Sequence, residues 1–489
     1  MELARLFHIL ARRDASWLRV SCRQIHQPMK PFEVLLLPPA SEADLKASSF
    51  LNWQCLMVEY GVDFGFNDGG SLPDRLPDQL DGLRLVLGEP DALEQCGPRL
   101  EQFQTNGGYV TEIRYGIQEK AKQDMDVFSK FMSSVTNAGV TRGHPNIRHR
   151  LQNRRFRELL DEWRPWLKEK HWTPNPSGKG WWEEPHNWGV LQAMEAMHEA
   201  DPNGGWMELL QSHLSVTMAK PDFNAGRLFG TETILRLYEA TWDSSYIEFA
   251  RNRIEQNFKD MPRLYDVLQP IATRHSLLWN EGLMEVAGPA AAYARVIGDE
   301  KWLAMAIALA VKMHELVCCP ELKLWYQAGR PGWRTPAVWA RGNGWALVGL
   351  TSLLRNMPTT HPKYGLIKAY VEELISGLQA AQDDEGLWHN VMEDPRSRTA
   401  LRASSQFVWC LSLLRRQGHI AGETLDALLE KAWKGIRGRM WKLCLCSNCW
   451  ATGTGDYQYY MARPVYFTGS AEALRAGAEL VLAFGDDDF

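Results

Sequence analysis

Two spacings of apolar residues divide this chain. Up to about residue 140, short apolar runs alternate with helical stretches. PFEVLLLPP (31–39) is a continuous apolar run between prolines, the pattern of a strand covered on both faces. SEADLKASSFLNWQCLMVEYG (41–61) has helical spacing and ends at glycine. VDFGF and LRLVLGEP (83–90) read as further strands, DALEQCGPRLEQFQTNGG (91–108) as a helix closed by glycines, and YVTEI as a fourth strand. This order predicts a parallel, flavodoxin-like α/β sheet.

The stretch GVTRGHPNIRHRLQNR (140–155) is basic and polar and reads as a linker. Beyond it, apolar residues recur at i, i+3, i+4 and i+7. The recurrence predicts twelve helices, over 152–168, 187–199, 203–218, 228–241, 243–257, 279–297, 300–316, 343–355, 362–382, 401–416, 422–437 and 470–484. No fixed period links them, which argues against a regular solenoid. The spacing thus predicts a mainly α protein: an (α/α)6 toroid over 150–489, preceded by a smaller α/β domain over 1–145.

Composition narrows the function. With 489 residues, the chain is too long for one ordinary core. A net charge of -5 gives no basic face for nucleic acid or an anionic membrane. No apolar run reaches transmembrane length. The opening MELARLFHILARRDASW has neither a long apolar core nor a small-residue cleavage site, so a cytoplasmic location is expected. Nine cysteines without an even framework suit reduced thiols. Cys444, Cys446 and Cys449 have metal-ligand spacing but no nearby second cluster, so neither an essential metal nor a cofactor is expected. The first domain lacks G-x-G-x-x-G and P-loop patterns, which argues against nucleotide binding.

The chain holds 21 tryptophans, many at element ends, where flat aromatic faces can pack on sugar rings. In WARGNGWALVGL (339–350), Arg341 offers a planar fork for a carboxylate, Gly342 and Gly344 let backbone approach closely, and Asn343 can cap a helix starting at Trp345. A capped glycine turn with no ligand accounts for the same glycines and asparagine.

Four stretches together carry a resemblance. WARGNGWALVGL resembles the W-x-R-G-N-G-W-A signature of unsaturated uronyl hydrolases, glycoside hydrolase families 88 and 105. GLWHNVMEDPRS (386–397), ILRLYEATWDSSYIEFARN (234–252) and GDYQYYMARPVYFTGSAEALRAGAELVLA (455–483) resemble three further segments of that group, in the same order. The first domain's pattern resembles class I amidotransferase-like domains. No nucleophile-elbow cysteine follows its GLRLVLGEP strand, so it is expected to be non-catalytic.

The resemblance implies removal of a terminal uronic acid from an oligosaccharide. A carboxylic acid protonates a C4=C5 double bond, water adds at C5, and the aglycone leaves. The family's acid sits in a W-x-D-x-L-x-M segment, which here reads LLWNEGLMEVAGP (277–289), with Glu281 at the acid's place. The family's second acid, before the L-L-x-L-Y-E helix, has no Asp in register. Asp222 and Glu232 are nearest, with Glu285 a further candidate partner. The family's histidine corresponds to Gln327, and its E-T-S to Ala400, Leu401 and Arg402. Expected sugar contacts are Trp279, Trp339, Arg341, Trp345, Trp388, His389, His275 and Gln327. Arg274, with His275, precedes the Glu281 helix and is placed to line the same cleft, while His186 and Trp188 are weaker candidates. Asp456, Tyr459, Tyr460 and Arg463 match a segment expected to hold the toroid closed, with Tyr459 open to either role. Two alternatives remain open at this level: a saturated β-glucuronide hydrolase, which needs two carboxylates, and a non-catalytic carbohydrate-binding protein. A homo-oligomer is also left open.

Overall fold

The computed structural model describes residues 34–37, 54, 57–58, 62, 64–65, 83–88, 90–112, 133, 135–138, 145–172, 188–218, 228, 230–269, 276–441, 444–449, 457–461, 465–469 and 471–485. The chain divides into two compact units. One comprises Met1–Asn153 with Gly438–Ser447 and Pro464–Thr468; the other comprises Arg154–Arg437, Asn448–Arg463 and Gly469–Phe489.

The first unit contains a parallel sheet of β1 (Val34–Leu36), β2 (Phe64–Gly65), β3 (Leu85–Gly88) and β4 (Tyr109–Glu112), in the order β2-β1-β3-β4. Val34 pairs with both Phe64 and Leu85, and Leu85 with Tyr109. All four β3 residues are buried, as an uninterrupted apolar strand requires. Leu35, Val86, Leu100 and Phe103 form a core between sheet and helix.

The second unit is helical. Its long helices are α1 (Phe156–Trp172), α2 (Trp188–Ala200), α3 (Trp206–Met218), α4 (Thr231–Thr241), α5 (Ser244–Asp260), α6 (Gly288–Ile297), α7 (Glu300–Val317), α8 (Ala340–Asn356), α9 (Tyr364–Ala381), α10 (Leu401–Arg416), α11 (Glu423–Arg437) and α12 (Ala471–Phe484). Among the described residues, the even-numbered helices close a ring: α2 packs on α4, α4 on α6, α6 on α8, α8 on α10, α10 on α12, and α12 on α2. Each odd-numbered helix backs an even one, α1 on α12, α3 on α2, α5 on α4, α7 on α6, α9 on α8 and α11 on α10. This is the six-plus-six arrangement expected of an (α/α)6 toroid.

The sequence explains the two layers. Inner helices are buried almost all round: every residue of α10 from Leu401 to Leu414 is buried. Outer helices are amphipathic; α11 buries Leu425, Leu428, Leu429, Ala432 and Trp433 and leaves its charges outside. Asp243 caps α5 through Ser245 N (2.9 Å), and Asp299 caps α7 through Lys301 N (3.1 Å). Inner helices run in parallel. Near their N-terminal ends, Arg402 of α10 pairs with Glu472 of α12; at their C-terminal ends, Arg416 of α10 pairs with Glu199 of α2.

Short strands join the helices: the β5 (Arg263–Leu264) and β6 (Val267–Leu268) hairpin, β7 (Leu278–Trp279), β8 (Cys318–Cys319), β9 (Leu324–Trp325), β10 (Ala328–Arg330) and β11 (Trp333–Arg334). Three later strands form one sheet, β12 (Met440–Trp441), β13 (Cys444–Cys449) and β14 (Val465–Gly469). The Cys444, Cys446 and Cys449 spacing thus falls on β13; those side chains lie outside the described ones.

Candidate active site

The site grows from one antiparallel pairing. β7 runs against β10, with Trp279 opposite Ala328. One step further, Asn280 N donates to Gln327 O (2.9 Å), and Asn280 Nδ2 donates to Tyr326 O (2.9 Å). The pairing ends there. The chain turns helical at Glu281, continues through a π-helical turn (Leu283–Ala287) and enters α6. Glu281 therefore stands at a strand-to-helix switch beside Gln327.

Gln327 Nε2 donates to Glu281 Oε1 (3.3 Å), and Tyr460 Oη donates to Gln327 Oε1 (2.7 Å). The tyrosine fixes which end of the amide faces the carboxyl. Glu281 Oε2 is enclosed and has no hydrogen-bond partner among the described residues. Burial raises the pKa of Glu281 above the ordinary carboxylate range. The hydrogen bond from Gln327 and the charge of Arg341 oppose this without overcoming it. The result is a carboxyl biased toward its protonated form, with one oxygen held and the other unpartnered among the described residues.

Arg341 is buried in the first turn of α8, its guanidinium carbon 4.9 Å from the Trp339 ring centre. Trp339 is the N-cap residue of α8, and its Nε1 donates to Asn390 Oδ1 (3.0 Å). Backbone bonds tie this strand end to the 388–392 loop, Ala340 N to Asn390 O (3.0 Å) and Met392 N to Val338 O (2.9 Å). The helix starts at Ala340, earlier than expected, so Asn343 is not its cap. Asn343 instead clamps β9: Oδ1 accepts from Trp325 N (2.8 Å), and Nδ2 donates to Trp325 O (2.8 Å). Gly342 and Gly344 sit inside the helix rather than in a turn. A Cβ on Gly344 would lie 2.2 Å from Gln406 Oε1.

A small cleft, partly open to solvent, continues along the same helices, lined by Met284, Trp345, Arg402, Gln406, Trp409, Glu472 and Arg475 among others. Arg402 pairs with Glu472 (2.5 Å), and its guanidinium lies 5.6 Å from the Trp345 ring centre. Arg475 stacks 3.5 Å over Trp409. Two arginines against one glutamate leave the pocket wall positive. Gln406 Oε1 and Arg475 Nε are buried with no partner among the described residues. Such groups suit hydroxyl-rich or anionic ligands.

The sequence model of Glycosyl Hydrolase Family 88 matches residues 165–483. The chain belongs to Glycosyl Hydrolase Family 88. It is a glycoside hydrolase. It is 25% identical over 239 residues to an unsaturated rhamnogalacturonyl hydrolase of Bacillus subtilis (strain 168), covering 46% of this chain and 68% of the relative. It is 26% identical over 103 residues to an unsaturated 3S-rhamnoglycuronyl hydrolase of Alteromonas sp. (strain LOR), covering 21% of this chain and 25% of that one. Among solved structures, a possible member of the GH105 family from Salmonella enterica serovar Paratyphi A superposes with a TM-score of 0.56 at 20% identity, covering 67% of this chain and 92% of that one. At that identity the likeness speaks for the fold alone. The family match begins at residue 165, beyond the Met1–Asn153 part of the first unit, and gives the amidotransferase resemblance no support.

Within this family 88 enzyme, the structure gathers Glu281, Gln327, Arg341 and Trp339 at one place and puts Trp345 in the adjoining pocket wall. It assigns other expected contacts elsewhere. Trp388 is fully buried with its Nε1 on Leu378 O (2.8 Å), which makes it a core residue rather than a sugar platform. Both ring nitrogens of His389 are engaged, by Ser397 O (2.6 Å) and Asp383 Oδ2 (3.2 Å), so it pins its own loop. Trp279 is buried against Leu277 and Ala328. Glu232 is buried and already partnered by Ser352 Oγ (2.5 Å) and Arg236 Nη1 (3.5 Å). It also faces Gly288, deeper along α6 than Glu281. Asp222, Arg274, His275, His186, Asp456 and Arg463 lie outside the described residues, as do the side chains of Trp188 and Tyr459.

Sequence reasoning missed Tyr460 as the residue that orients Gln327, having placed its segment in ring closure. It also missed the Glu472, Arg475, Gln406 and Trp409 wall. Charged and amide side chains on otherwise apolar inner helices were the available signal.

Proposed function

We propose that this enzyme removes a terminal Δ4,5-unsaturated uronic acid from short oligosaccharides by hydration, with Glu281 as proton donor. The observation that carries this reading is the state of Glu281: a carboxyl pushed toward protonation, with Oε2 unpartnered and Oε1 held by an uncharged amide. A nucleophile or general base needs the ionised form at rest, whereas an acid needs the proton. The names of the relatives, an unsaturated rhamnogalacturonyl hydrolase and an unsaturated 3S-rhamnoglycuronyl hydrolase, point to the same substrate class.

In this mechanism Glu281 gives its proton to C4 of the enoate. Positive charge develops at C5, shared with the ring oxygen. Water attacks C5 and returns a proton to the Glu281 carboxylate. The hemiketal at C5 opens to a ketone, and the hemiacetal left at C1 expels the aglycone alcohol. Arg341, braced on Trp339, receives the uronate carboxylate through its fork. Gln327 keeps Glu281 in place without introducing a charge that would ionise it. The pocket beside Trp345 takes the neighbouring sugar.

A saturated β-glucuronide needs a second carboxylate across the cleft, about 5–10 Å away. Of the described candidates, Glu232 is already engaged by Ser352 and Arg236, which favours hydration.

The test follows loss of enoate absorbance from an unsaturated uronyl disaccharide, alongside nitrophenol release from a nitrophenyl β-glucuronide. Wild type should consume the enoate, and Glu281→Gln should lower that rate by about 100-fold to 10,000-fold. Nitrophenol release without enoate loss would replace this reading with saturated-uronide hydrolysis. Undiminished enoate loss in Glu281→Gln would remove Glu281 from the role.

A further inference from the structure

Away from the sugar site, the last turn of α7 presents His314, and Cys318 follows the end of the helix as the first residue of β8. Glu373, in the middle of α9, meets both. Its Oε2 lies 2.7 Å from His314 Nε2, and its Oε1 lies 3.5 Å from Cys318 Sγ. One donor atom from each residue lies within 4.8 Å of the others. The histidine ring is held in orientation: it stacks on Tyr370 at 3.9 Å between centres and meets Trp325 edge-on at 5.5 Å. Burial and the Glu373 carboxylate push the Cys318 thiol up to about 12, so with no cation present the group is a neutral thiol.

We propose that His314, Cys318 and Glu373 form a site for one divalent cation of the zinc class, with water completing the coordination. The set is one imidazole, one thiolate and one carboxylate. This mixed nitrogen, sulfur and oxygen chemistry selects zinc over the oxygen-seeking magnesium and calcium. Bonds of about 2.0–2.3 Å place tetrahedral donors about 3.3–3.8 Å apart. The sulfur–oxygen separation of 3.5 Å and the nitrogen–oxygen separation of 2.7 Å involve different oxygens of Glu373, and one donor atom from each residue lies within 4.8 Å of the others, so the donors have to draw together by about 1 Å to meet one ion. The His314 and Glu373 side chains are 24% and 26% exposed, which leaves a path for the ion and its water. Binding replaces the proton on the Cys318 thiol with the cation and releases it to solvent, while His314 ligates through Nε2 as a neutral imidazole with its N–H at Nδ1.

The position gives the site a consequence. β8 pairs with β9, Cys318 opposite Trp325, and Trp325 is clamped by Asn343. Two residues on, Gln327 holds Glu281. A cation at this site staples α7 to α9 beside β9, which ends two residues before Gln327.

The test titrates Co2+, a spectroscopic stand-in for Zn2+, into the full, reduced chain. A near-ultraviolet sulfur-to-cobalt band should rise to one equivalent. It should vanish in Cys318→Ser and persist in the triple variant Cys444→Ser, Cys446→Ser, Cys449→Ser. Zn2+ should raise the melting temperature of wild type and leave that of His314→Gln unmoved, a readout that does not depend on the cysteine variant folding. Absence of the band in wild type overturns the proposal and leaves a hydrogen-bonded triad. So does a band that survives Cys318→Ser or is lost only in the triple variant.

Discussion

Glu281 combines two costs at one residue, a carboxyl moved out of water and an oxygen with no partner among the described residues. Both favour the proton, and both have signs that can be measured. If Glu281 is the proton donor proposed above, kcat should fall as pH rises through the raised pKa. Replacing Gln327, whose Nε2 lies 3.3 Å from Glu281 Oε1, by histidine puts a titratable group beside the carboxyl. When charged, it lowers the pKa of Glu281, so in Gln327→His the alkaline limb of the pH–rate profile moves to lower pH. A limb that stays in place would uncouple Gln327 from the acid. Stability follows the same group. The folded-state pKa is raised above its ordinary 4.5, so below that value both states are protonated and stability is intact. As pH rises, the unfolded chain ionises first and stability is lost. Glu281→Gln cannot ionise and should therefore melt higher than wild type at neutral pH, with the gap closing below about pH 4.5. Thermal denaturation across pH reads this directly.

At the scale of elements, the site depends on how closely α8 approaches the π-helical turn that follows Glu281. Gly349 makes that approach: a Cβ there would lie 2.6 Å from the backbone carbonyl of Leu283. Backbone cannot swing aside as a side-chain tip can, so Gly349→Ala should destabilise the enzyme by about 1–3 kcal/mol. It should also lower kcat, because Leu283 follows Glu281 closely in the chain. Gly365→Ala is the control. Nothing lies within 4 Å of a Cβ at that helical position, so the substitution should be neutral or stabilising. Equal losses in both variants, read from chemical denaturation, would contradict this account. The same tight packing explains why the W-x-R-G-N-G-W stretch looked like a turn from its glycines. They serve helix packing against Gln327 and Gln406 rather than a positive-φ bend.

At the scale of the molecule, the last inner helix, α12, closes the ring between α10 and α2. Before it does so, the chain leaves the helical unit. Gly438–Ser447 and Pro464–Thr468 belong to the first unit, where Trp441 Nε1 donates to Gln54 Oε1 (2.8 Å). Cutting the protein at the apparent linker would therefore strand these segments. A chain of residues 154–489 should give a much lower soluble yield than the full protein and scatter light after purification, because β12–β14 lose the unit they belong to. A well-behaved monomer with wild-type melting would show that the returning strands are dispensable.

The helix positions were legible because they are local. Spacing at i, i+3, i+4 and i+7 reports which face of a segment is apolar, and each of the twelve expected long helices is present. The position of Glu281 at the head of an inner helix, two residues after Trp279, was legible through the family resemblance. Spacing says that a face is buried but not against what. Trp388 and His389 carry the same chemistry as a sugar contact, yet packing sends one into the core and locks the other into its loop. Glu281, Gln327 and Tyr460 are far apart in the chain and converge only when β7 pairs with β10 and the 457–461 helix returns to the ring. The His314, Cys318 and Glu373 cluster likewise exists only where α7 lies beside α9. Periodicity is a property of one segment, whereas a site is a property of several, and only closure of the ring decides which segments meet.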